Sequence, residues 1–288
     1  MTEIVNGNSY GQSHRSQVVA VGAGVGSALL LNSIMRNRVN GFLLRKDDIL
    51  NTGVNSDTIR TAMNTALKKT EMQNKGVKII DFAKYDLNKS VESSSCNITS
   101  FTELLEKIKK ETVNSIKKQQ ICSAKQGLNS YYFAGKYNKI LTNTNKQPLA
   151  VFHEIGHSIN ENSSKLWKSV AKCRNLSVFG PLLVGAIALT TPEKQDGEKT
   201  SGVIDSTTSF IKKNATTLTL ASFVPMLAEE LKASQRGNKL AKELLSPELA
   251  KKVLKYNRYG AATYIVGALA ATTAVAVGSK VKDWIYKC

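Results

Sequence analysis

Residues 151–157 read Val-Phe-His-Glu-Ile-Gly-His and contain the motif H-E-x-x-H. On a helix, His153 and His157 lie four residues apart and project from the same face. Two imidazole nitrogens on that face can bind one zinc ion at about 2.0–2.1 Å. Glu154 lies beside them, placed to take a proton from the attacking water without being a ligand itself. The motif therefore predicts a zinc-dependent hydrolase.

The sequence around the motif predicts the helix that this geometry needs. Pro148 suits a first helical position, and residues 143–145 (Asn-Thr-Asn) offer candidates for the N-cap. Residues that would bury one face repeat at helical spacing: Leu149, Phe152, Ile155, Gly156 and Ile159. The alternative is an ordinary amphipathic helix whose histidines are polar groups of the surface or core.

The chain is strongly basic. Its 288 residues include 40 Lys and Arg against 22 Asp and Glu, a formal net charge of +18. Such a surplus predicts an anionic partner, either nucleic acid or a lipid surface. The sequence has no aromatic-interleaved basic motif, zinc-knuckle spacing or RNA-binding signature, so we expect lipid and no nucleic acid. The cysteines are widely scattered and predict free thiols: Cys96, Cys122, Cys173 and Cys288.

Three long stretches lack any charged side chain: residues 16–35, 175–192 and 259–279. Their lengths of 20, 18 and 21 residues match the roughly 20 that a membrane-spanning helix requires. Residues 214–228 form a fourth uncharged stretch of only 15 residues. The alternative is that some of these are buried helices of a soluble protein. We interpret the chain as a multi-pass integral membrane protein.

This interpretation predicts an order of segments along the chain. The segments are a polar N-terminal tail (1–15), a transmembrane anchor (16–35), a cytoplasmic mixed α/β region ending in the motif helix (36–174), a transmembrane segment (175–192), a connector (193–213), a short transmembrane or re-entrant segment (214–228), a helical segment (229–258), a transmembrane segment (259–279) and a tail (280–288). Basic residues in 36–174 and 229–258 predict that both lie on the cytoplasmic side, facing an anionic leaflet. The basic tail (Lys280, Lys282, Lys287) fits this rule poorly.

Within region 36–174, local patterns predict helices and strands. A helix is expected over 56–75, with Ile59, Met63 and Leu67 on one face and Gly76 as its stop, and another after the capping box of Ser100 and Glu103. Strands are expected at 77–82, 131–133 and 137–142. The last could be an edge to which an extended peptide substrate pairs, or an ordinary internal strand. The edge hypothesis concerns Tyr137, Asn138, Lys139, Ile140 and Leu141.

A catalytic zinc site has three protein ligands and one open coordination position. The third histidine, His14, precedes the first apolar stretch and lies on the opposite side in this topology. The better candidates are Glu229 and Glu230, followed by the small residues Ala233 and Ser234, which would allow close packing against the metal helix. If the zinc ligands lie on the same side of a bilayer, the chain between them must cross the bilayer an even number of times. Two apolar stretches separate the motif from these glutamates, and either both cross or both enter and return.

The two motifs and the apolar stretches between them resemble those of a known family. An H-E-x-G-H helix, two apolar stretches and E-x-x-A-S before Arg236 are similar to the YugP-type membrane-bound zinc metallopeptidases, and more distantly to HtpX-like proteases, over residues 137–279. The resemblance implies that His153, His157 and Glu230 bind one zinc ion and that Glu154 is the catalytic base. It also implies a mainly α fold with a small β-sheet and a gluzincin-like zincin core. HtpX-like proteases carry an aspartate at the position of Ser234, where it orients a zinc-bound histidine.

The expected reaction is peptide-bond hydrolysis in a peptide or protein substrate. Zinc polarises the scissile carbonyl, and Glu154 passes the proton of the attacking water to the leaving amine. Candidates for the side chain that stabilises the oxyanion are Arg236, Tyr256 and Tyr259. Two alternatives stay open. One is a soluble single-domain zincin whose apolar stretches form its core, and the other is a non-catalytic membrane or scaffold protein with a coincidental or degenerate motif.

Overall fold

The computed structural model describes residues 18–27, 30, 46, 49–84, 118–135, 137–191 and 202–287. The chain divides into two compact units, which are described separately. Unit 1 comprises Met1–Leu44, Ser169–Glu229 and Gly260–Cys288. Unit 2 comprises Arg45–Lys168 and Glu230–Tyr259. The predicted N-terminal tail 1–15, part of the anchor 16–35 and the helix after Ser100 lie outside the described residues.

The described residues are mostly helical with one small sheet, as predicted. The helices are α1 (Val18–Ser27), α2 (Ser56–Lys69), α3 (Val151–Ser163), α4 (Lys165–Lys172), α5 (Leu176–Thr190), α6 (Gly202–Lys213), α7 (Ala215–Ser222), α8 (Val224–Leu244) and α9 (Pro247–Lys287). The strands are β1 (Lys78–Asp81), β2 (Tyr131–Phe133) and β3 (Lys139–Thr142). Residues 118–126 are also helical, and three short 3-10 helices cover Phe82–Lys84, Pro148–Ala150 and Cys173–Asn175.

The hydrophobic core of unit 2 is built by α2, the sheet and α3. Helix α2 starts because the Asn55 side chain accepts hydrogen bonds from the amides of Asp57 and Thr58. Its buried face contains Ile59, Met63 and Leu67, as the spacing predicts. These side chains share one core with residues of β3, α3, α8 and α9: Ile140, Phe152, Ile155, Leu240 and Val253.

The sheet has the strand order β1-β3-β2, so β3 is its central strand. Strand β1 pairs parallel to β3, and β2 pairs antiparallel to it. The three strands are where the sequence predicts them, but the edge hypothesis for residues 137–141 is wrong. Ile140, for example, is paired with Ile79 on one side and Tyr132 on the other, so no backbone edge is left for a peptide. The alternative of an internal strand is confirmed.

The segment between β3 and α3 also differs from the prediction. Pro148 begins a 3-10 helix that leads into α3, whose first cap residue, Ala150, offers no side-chain hydrogen bond. The predicted caps are engaged elsewhere: Asn143 Nδ2 donates to the Lys125 carbonyl, and Thr144 is bonded to Asp81. The 3-10 turn precedes the first turn of α3 directly, so the helix starts without a side-chain cap.

In unit 1, helix α5 packs against α6 and α7. The stretch 214–228 is not one helix, because α7 ends at Ser222 and α8 begins at Val224. Pro225 explains the break, since its ring nitrogen has no hydrogen to continue the ladder of α7. Together the two pieces run back alongside α5. Lys212 Nζ donates to the Thr191 carbonyl at one end, and Arg174 Nη1 donates to Glu229 Oε2 at the other.

Among the described residues, two helical stretches are long and apolar enough to cross a membrane, Lys165–Thr190 and Pro247–Ile285. The first covers residues 175–190 of the predicted segment 175–192, and the second includes the whole predicted segment 259–279. Helix α1 is a shorter apolar helix that packs closely within unit 1: a Cβ on Gly24 would lie 2.6 Å from the Gly278 carbonyl oxygen. Residues 280–287 of the predicted tail continue α9 as helix, and residues 202–213 of the predicted connector form α6.

Candidate metal centre

Helix α3 carries the H-E-x-x-H motif and is anchored by its apolar face. Val151, Phe152 and Ile155 are fully buried in the core of unit 2. This fixes the rotation of the helix, because turning it would expose those three side chains to water. His153 and His157 consequently project together from a different face, with their rings edge to face and their centroids 4.5 Å apart.

The two histidines and Glu230 bring three potential ligand atoms together. Glu230 Oε2 lies 3.0 Å from His153 Nε2 and 3.4 Å from His157 Nε2, and the two nitrogens are 2.9 Å apart. Around a tetrahedral zinc ion with bonds near 2.05 Å, ligand atoms are separated by about 3.3 Å. The three atoms thus already stand at nearly the spacing of a metal-binding triangle. Two imidazoles and one carboxylate are also a donor set that zinc uses in catalytic sites.

The surroundings of Glu230 act on its pKa in opposite directions. Its side chain is 1% exposed, and burial by itself would raise the pKa of the carboxyl group. The charge interaction with His157 and the hydrogen bond with His153 outweigh burial and hold the pKa well below its ordinary value. The carboxylate is therefore in the form that a metal ligand requires.

Glu154 lies next to the donor triangle. Its carboxylate and the ligand nitrogens of His153 and His157 are all within 4.8 Å of one another, and this group of side chains could hold a metal ion. Glu154 is itself buried.

Ser234 contacts the first histidine from behind. Its Oγ lies 3.1 Å from His153 Nδ1, and the side chain is buried. When the Nδ1 proton is donated to this hydroxyl, the Nε2 lone pair is free to face the metal position. Nδ1 is the ring nitrogen through which an outer hydrogen-bond partner orients a metal-binding histidine.

Two glycines let α3 and α8 approach closely enough for these contacts. A Cβ on Gly156 would clash with the Ala233 carbonyl oxygen and lie 2.7 Å from its carbonyl carbon. A Cβ on Gly237 would clash with the Phe152 carbonyl oxygen. Because both clashes involve backbone, no side chain can move aside to relieve them. The small residues that the sequence places after Glu230 are thus at the helix crossing.

The three candidates for an oxyanion donor lie in different surroundings. Arg236 Nη1 donates to Ser163 Oγ at the last residue of α3, 2.7 Å away, and burial lowers the pKa of its guanidinium. Tyr256 packs against the hydrophobic core of unit 2, and Tyr259 is half-buried on α9. The oxyanion donor stays a prediction. Of the two candidate carboxylates, Glu230 Oε2 lies 3.0 Å from His153 Nε2, and Glu229 Oε2 lies 2.8 Å from Arg174 Nη1.

One group that supports the site escaped the sequence analysis. Asp81, at the end of β1, accepts hydrogen bonds from both the amide and the hydroxyl of Thr144, at 3.0 and 2.6 Å, and from Arg60 at 2.9 Å. Burial opposes ionisation of Asp81, but the bonds from Thr144 and Arg60 lower its pKa. This network fixes the segment that leads into α3. The feature of the sequence that could have indicated this network is an acidic residue at the end of an apolar strand.

Comparisons of the chain with protein-family models, with curated proteins and with solved structures found no match. Within the described residues, the motif histidines with Glu154 form a group that could hold a metal ion. The geometry adds Glu230, whose Oε2 lies within 3.4 Å of the Nε2 atoms of both imidazoles. Chemically, the arrangement combines three converging donors with one adjacent carboxylate that can exchange a proton.

Proposed function

We propose that this protein is a membrane-embedded zinc metallopeptidase, related to the YugP-type enzymes that its motifs resemble. The observation that carries the proposal is the convergence of His153 Nε2, His157 Nε2 and Glu230 Oε2 within 3.4 Å of one another. An accidental H-E-x-x-H helix has no reason to meet a buried carboxylate on a second helix. Zinc is favoured over harder cations because two of the three donors are imidazoles.

His153, His157 and Glu230 would hold the ion, which when bound supplies a Lewis acid that polarises the scissile carbonyl and acidifies water. Glu154 then takes the proton of the attacking water and delivers it to the leaving amine nitrogen. Ser234 keeps the His153 ring in the tautomer and orientation that ligation needs. A peptide or protein chain is the substrate class for this chemistry.

The membrane part of the proposal is supported by the distribution of charge in unit 1. The uncharged residues of α5 separate two charged groups: Arg174 with Glu229, and Lys212 with Lys282 and Asp283 at Thr191. Arg174 and Thr191 are 17 positions apart, which is about 26 Å along a helix and close to the thickness of a bilayer core. The apolar side chains between them are turned outward, for example Phe179 and Leu182, which are each 66% exposed.

The basic surplus of residues 36–174 and 229–258 supports placing the metal centre on the cytoplasmic side, next to anionic headgroups. The return of 214–228 alongside α5 agrees with the requirement for an even number of crossings between His157 and Glu230. Carbonate extraction distinguishes this proposal from a soluble zincin, because an integral protein stays with the membrane and a soluble one leaves it.

Elemental analysis of the detergent-purified chain tests the metal site. We expect about one zinc per chain, in keeping with a three-ligand catalytic site. The Glu230→Gln variant should lose it, while Glu243→Gln, on the same helix but outside the cluster, should retain it. A folded wild-type protein without zinc would overturn the proposal.

Cleavage of a peptide library by the zinc-loaded protein separates a catalytic from a structural metal. Glu154→Gln should keep its zinc and lose about 10²–10⁴-fold in rate, the usual contribution of a general base. Equal cleavage by wild type and Glu154→Gln would assign the activity to a contaminant or to another group. A zinc-containing protein that cleaves no peptide would favour the non-catalytic alternative.

A further inference from the structure

Unit 2 contains a cleft of about 690 Å³ that is lined by helix α2, strand β1 and the turn between them. Part of its lining is apolar and buried, as at Met63, Leu67 and Val77. Its exposed lining residues include two lysines, Lys68 and Lys78. Among the described residues that line the cleft, none belongs to the metal centre. The cleft is therefore a second place on unit 2 where a ligand can be held.

Strand β1 forms one edge of the sheet, because β3 is its one paired neighbour within the described chain. The Lys78 amide donates to the Asn138 carbonyl, so the backbone of Lys78 faces the β3 side. The backbone groups of successive strand residues alternate in direction, and those of Ile79 and Asp81 consequently face away from β3. Both residues line the cleft. An extended peptide is the ligand whose own backbone would pair with such an edge.

The charges around the cleft determine what kind of peptide fits. The Asp81 carboxylate is already engaged by Arg60 and Thr144, whereas Lys68 and Lys78 point their charge to an exposed surface. Two ammonium groups favour a ligand that carries carboxylates. A second copy of this chain is opposed by its own net charge of +18. A nucleic acid has the opposite charge but lacks the peptide backbone that pairs with a strand.

We propose that the edge of β1 and the neighbouring cleft form a docking site for an extended acidic segment of a partner protein. The segment would add as a strand beside β1, with its carboxylates near Lys68 and Lys78. Its apolar side chains would pack against the apolar part of the lining, such as Met63 and Leu67. This docking site goes beyond the proposed function and does not depend on a bound metal ion.

The test is the binding of two fluorescein-labelled peptides to the full-length protein in detergent, measured by fluorescence anisotropy. A peptide of Val-Glu repeats should bind saturably and at least about tenfold more tightly than one of Val-Lys repeats, because like charges suppress the wrong partner. The double variant Lys68→Glu/Lys78→Glu should reverse this preference. Both lysines are exposed, so the variant should melt like wild type. Lys251→Glu is the matched control, because it reverses an exposed charge of unit 2 outside the cleft and should leave the preference unchanged.

Amide hydrogen exchange distinguishes strand addition from attraction by charge alone. With the acidic peptide bound, exchange over Lys78–Asp81 should slow, because the outward amides of Ile79 and Asp81 gain hydrogen bonds. Strand β2 lies at the other edge of the sheet and should exchange as it does without peptide. Peptide binding that leaves exchange of β1 unchanged would overturn the docking site.

The outcomes also separate this inference from the proposed function. Binding of the acidic peptide should persist after zinc is removed with a chelator, because the cleft contains no proposed ligand of the metal. Loss of binding on chelation would assign the peptide to the metal centre and overturn the docking site. The absence of saturable binding would also overturn it, as would equal effects of Lys251→Glu and Lys68→Glu/Lys78→Glu. None of these results would alter the zinc content or the cleavage that test the proposed function.

Discussion

The two units of this protein differ in the side chains that they expose. In unit 2, Ile59, Phe152 and Ile155 are fully buried, and lysines such as Lys68 are exposed. In unit 1, Glu229 and Lys282 are buried while Phe179 and Leu182 are exposed. The pattern of unit 2 is the one expected in water, because burying apolar side chains removes their surface from water. That of unit 1 is expected where hydrocarbon is the solvent, because charged groups then gain by meeting one another inside.

The comparison also shows that glycine serves both units in the same way. In unit 2, Gly156 and Gly237 bring α3 and α8 into backbone contact, and in unit 1 Gly180 meets the Ser222 side chain across α5 and α7. Close approach of helices depends on backbone shape and not on the surrounding solvent. The two helix crossings differ in what they bring together. The crossing of α3 and α8 assembles a polar cluster, and that of α5 and α7 packs two apolar helices against each other.

The largest effect is expected from Gly156→Ala, which breaks the crossing in unit 2. Its new methyl group would overlap the Ala233 carbonyl, so the helices must separate and the donor triangle must open. We expect a loss of about 3 kcal/mol of stability together with the loss of bound zinc. Thermal unfolding and elemental analysis measure the two effects.

Gly260→Ala is the matched control for that substitution, because a Cβ on Gly260 meets nothing within 4 Å. It lies within a long helix, where alanine is favoured over glycine by about 1 kcal/mol. We expect it to melt no lower than wild type and to keep its zinc. If Gly156→Ala behaved like Gly260→Ala, the close crossing of α3 and α8 would be wrong.

The next largest effect concerns the outward apolar surface of unit 1. Leu182 and Leu166 are 66% and 67% exposed, but Leu182 lies on α5 of unit 1 and Leu166 on α4 of unit 2. If hydrocarbon surrounds Leu182, then Leu182→Lys costs about 2.5 kcal/mol and reduces membrane integration. Leu166→Lys should change stability by no more than about 0.5 kcal/mol. The measurement is the fraction of protein that stays with the membrane after carbonate extraction. If both variants lowered that fraction equally, Leu182 and Leu166 would not differ in the solvent that surrounds them.

A third prediction concerns the segment that leads into α3. Asp81→Asn removes the charge that Arg60 and Thr144 surround, and should cost about 2 kcal/mol. Asp57→Asn, an 85% exposed partner of the same arginine, should cost at most about 0.5 kcal/mol. Chemical denaturation of both variants gives the comparison.

The same carboxylate predicts the pH dependence. The pKa of Asp81 is lower in the folded than in the unfolded chain, whose value is about 3.9. Its contribution to stability is therefore fully present above that value and disappears as the pH falls through the lower folded-state pKa. Asp81→Asn should flatten the decline of stability in acid. An unchanged slope would show that other carboxylates govern acid unfolding.

The sequence predicted those features that depend on local periodicity. The α3 helix, the buried face of α2 and all three strands follow from spacing and turn residues within a few positions. The order of the strands could not be predicted, because the residues that pair between β1 and β3 are 61 positions apart and periodicity does not specify a strand's neighbours. The edge hypothesis for residues 137–141 failed for that reason.

The candidate site was predictable in part for a different reason. His153, Glu154 and His157 share one motif, so their proximity is a property of one helix. Glu230 is 77 positions from His153, and only the resemblance together with the counted apolar stretches pointed to it. The surroundings of Glu229 could not be predicted, because its carboxylate is buried against Arg174, a residue 55 positions away in the sequence.

The smallest effect should come from Ser234→Ala. The hydroxyl is the partner of His153 Nδ1, and without it the ring can rotate or adopt the other tautomer, which places a proton on the ligating Nε2. Zinc affinity should fall about tenfold, or about 1.4 kcal/mol. Ser158→Ala is the control, because its buried hydroxyl bonds only within α3, to the Ile155 carbonyl, and should change stability without changing zinc affinity. Equal affinities in the two variants would mean that packing against α8, and not the hydrogen bond to Ser234, orients the first histidine.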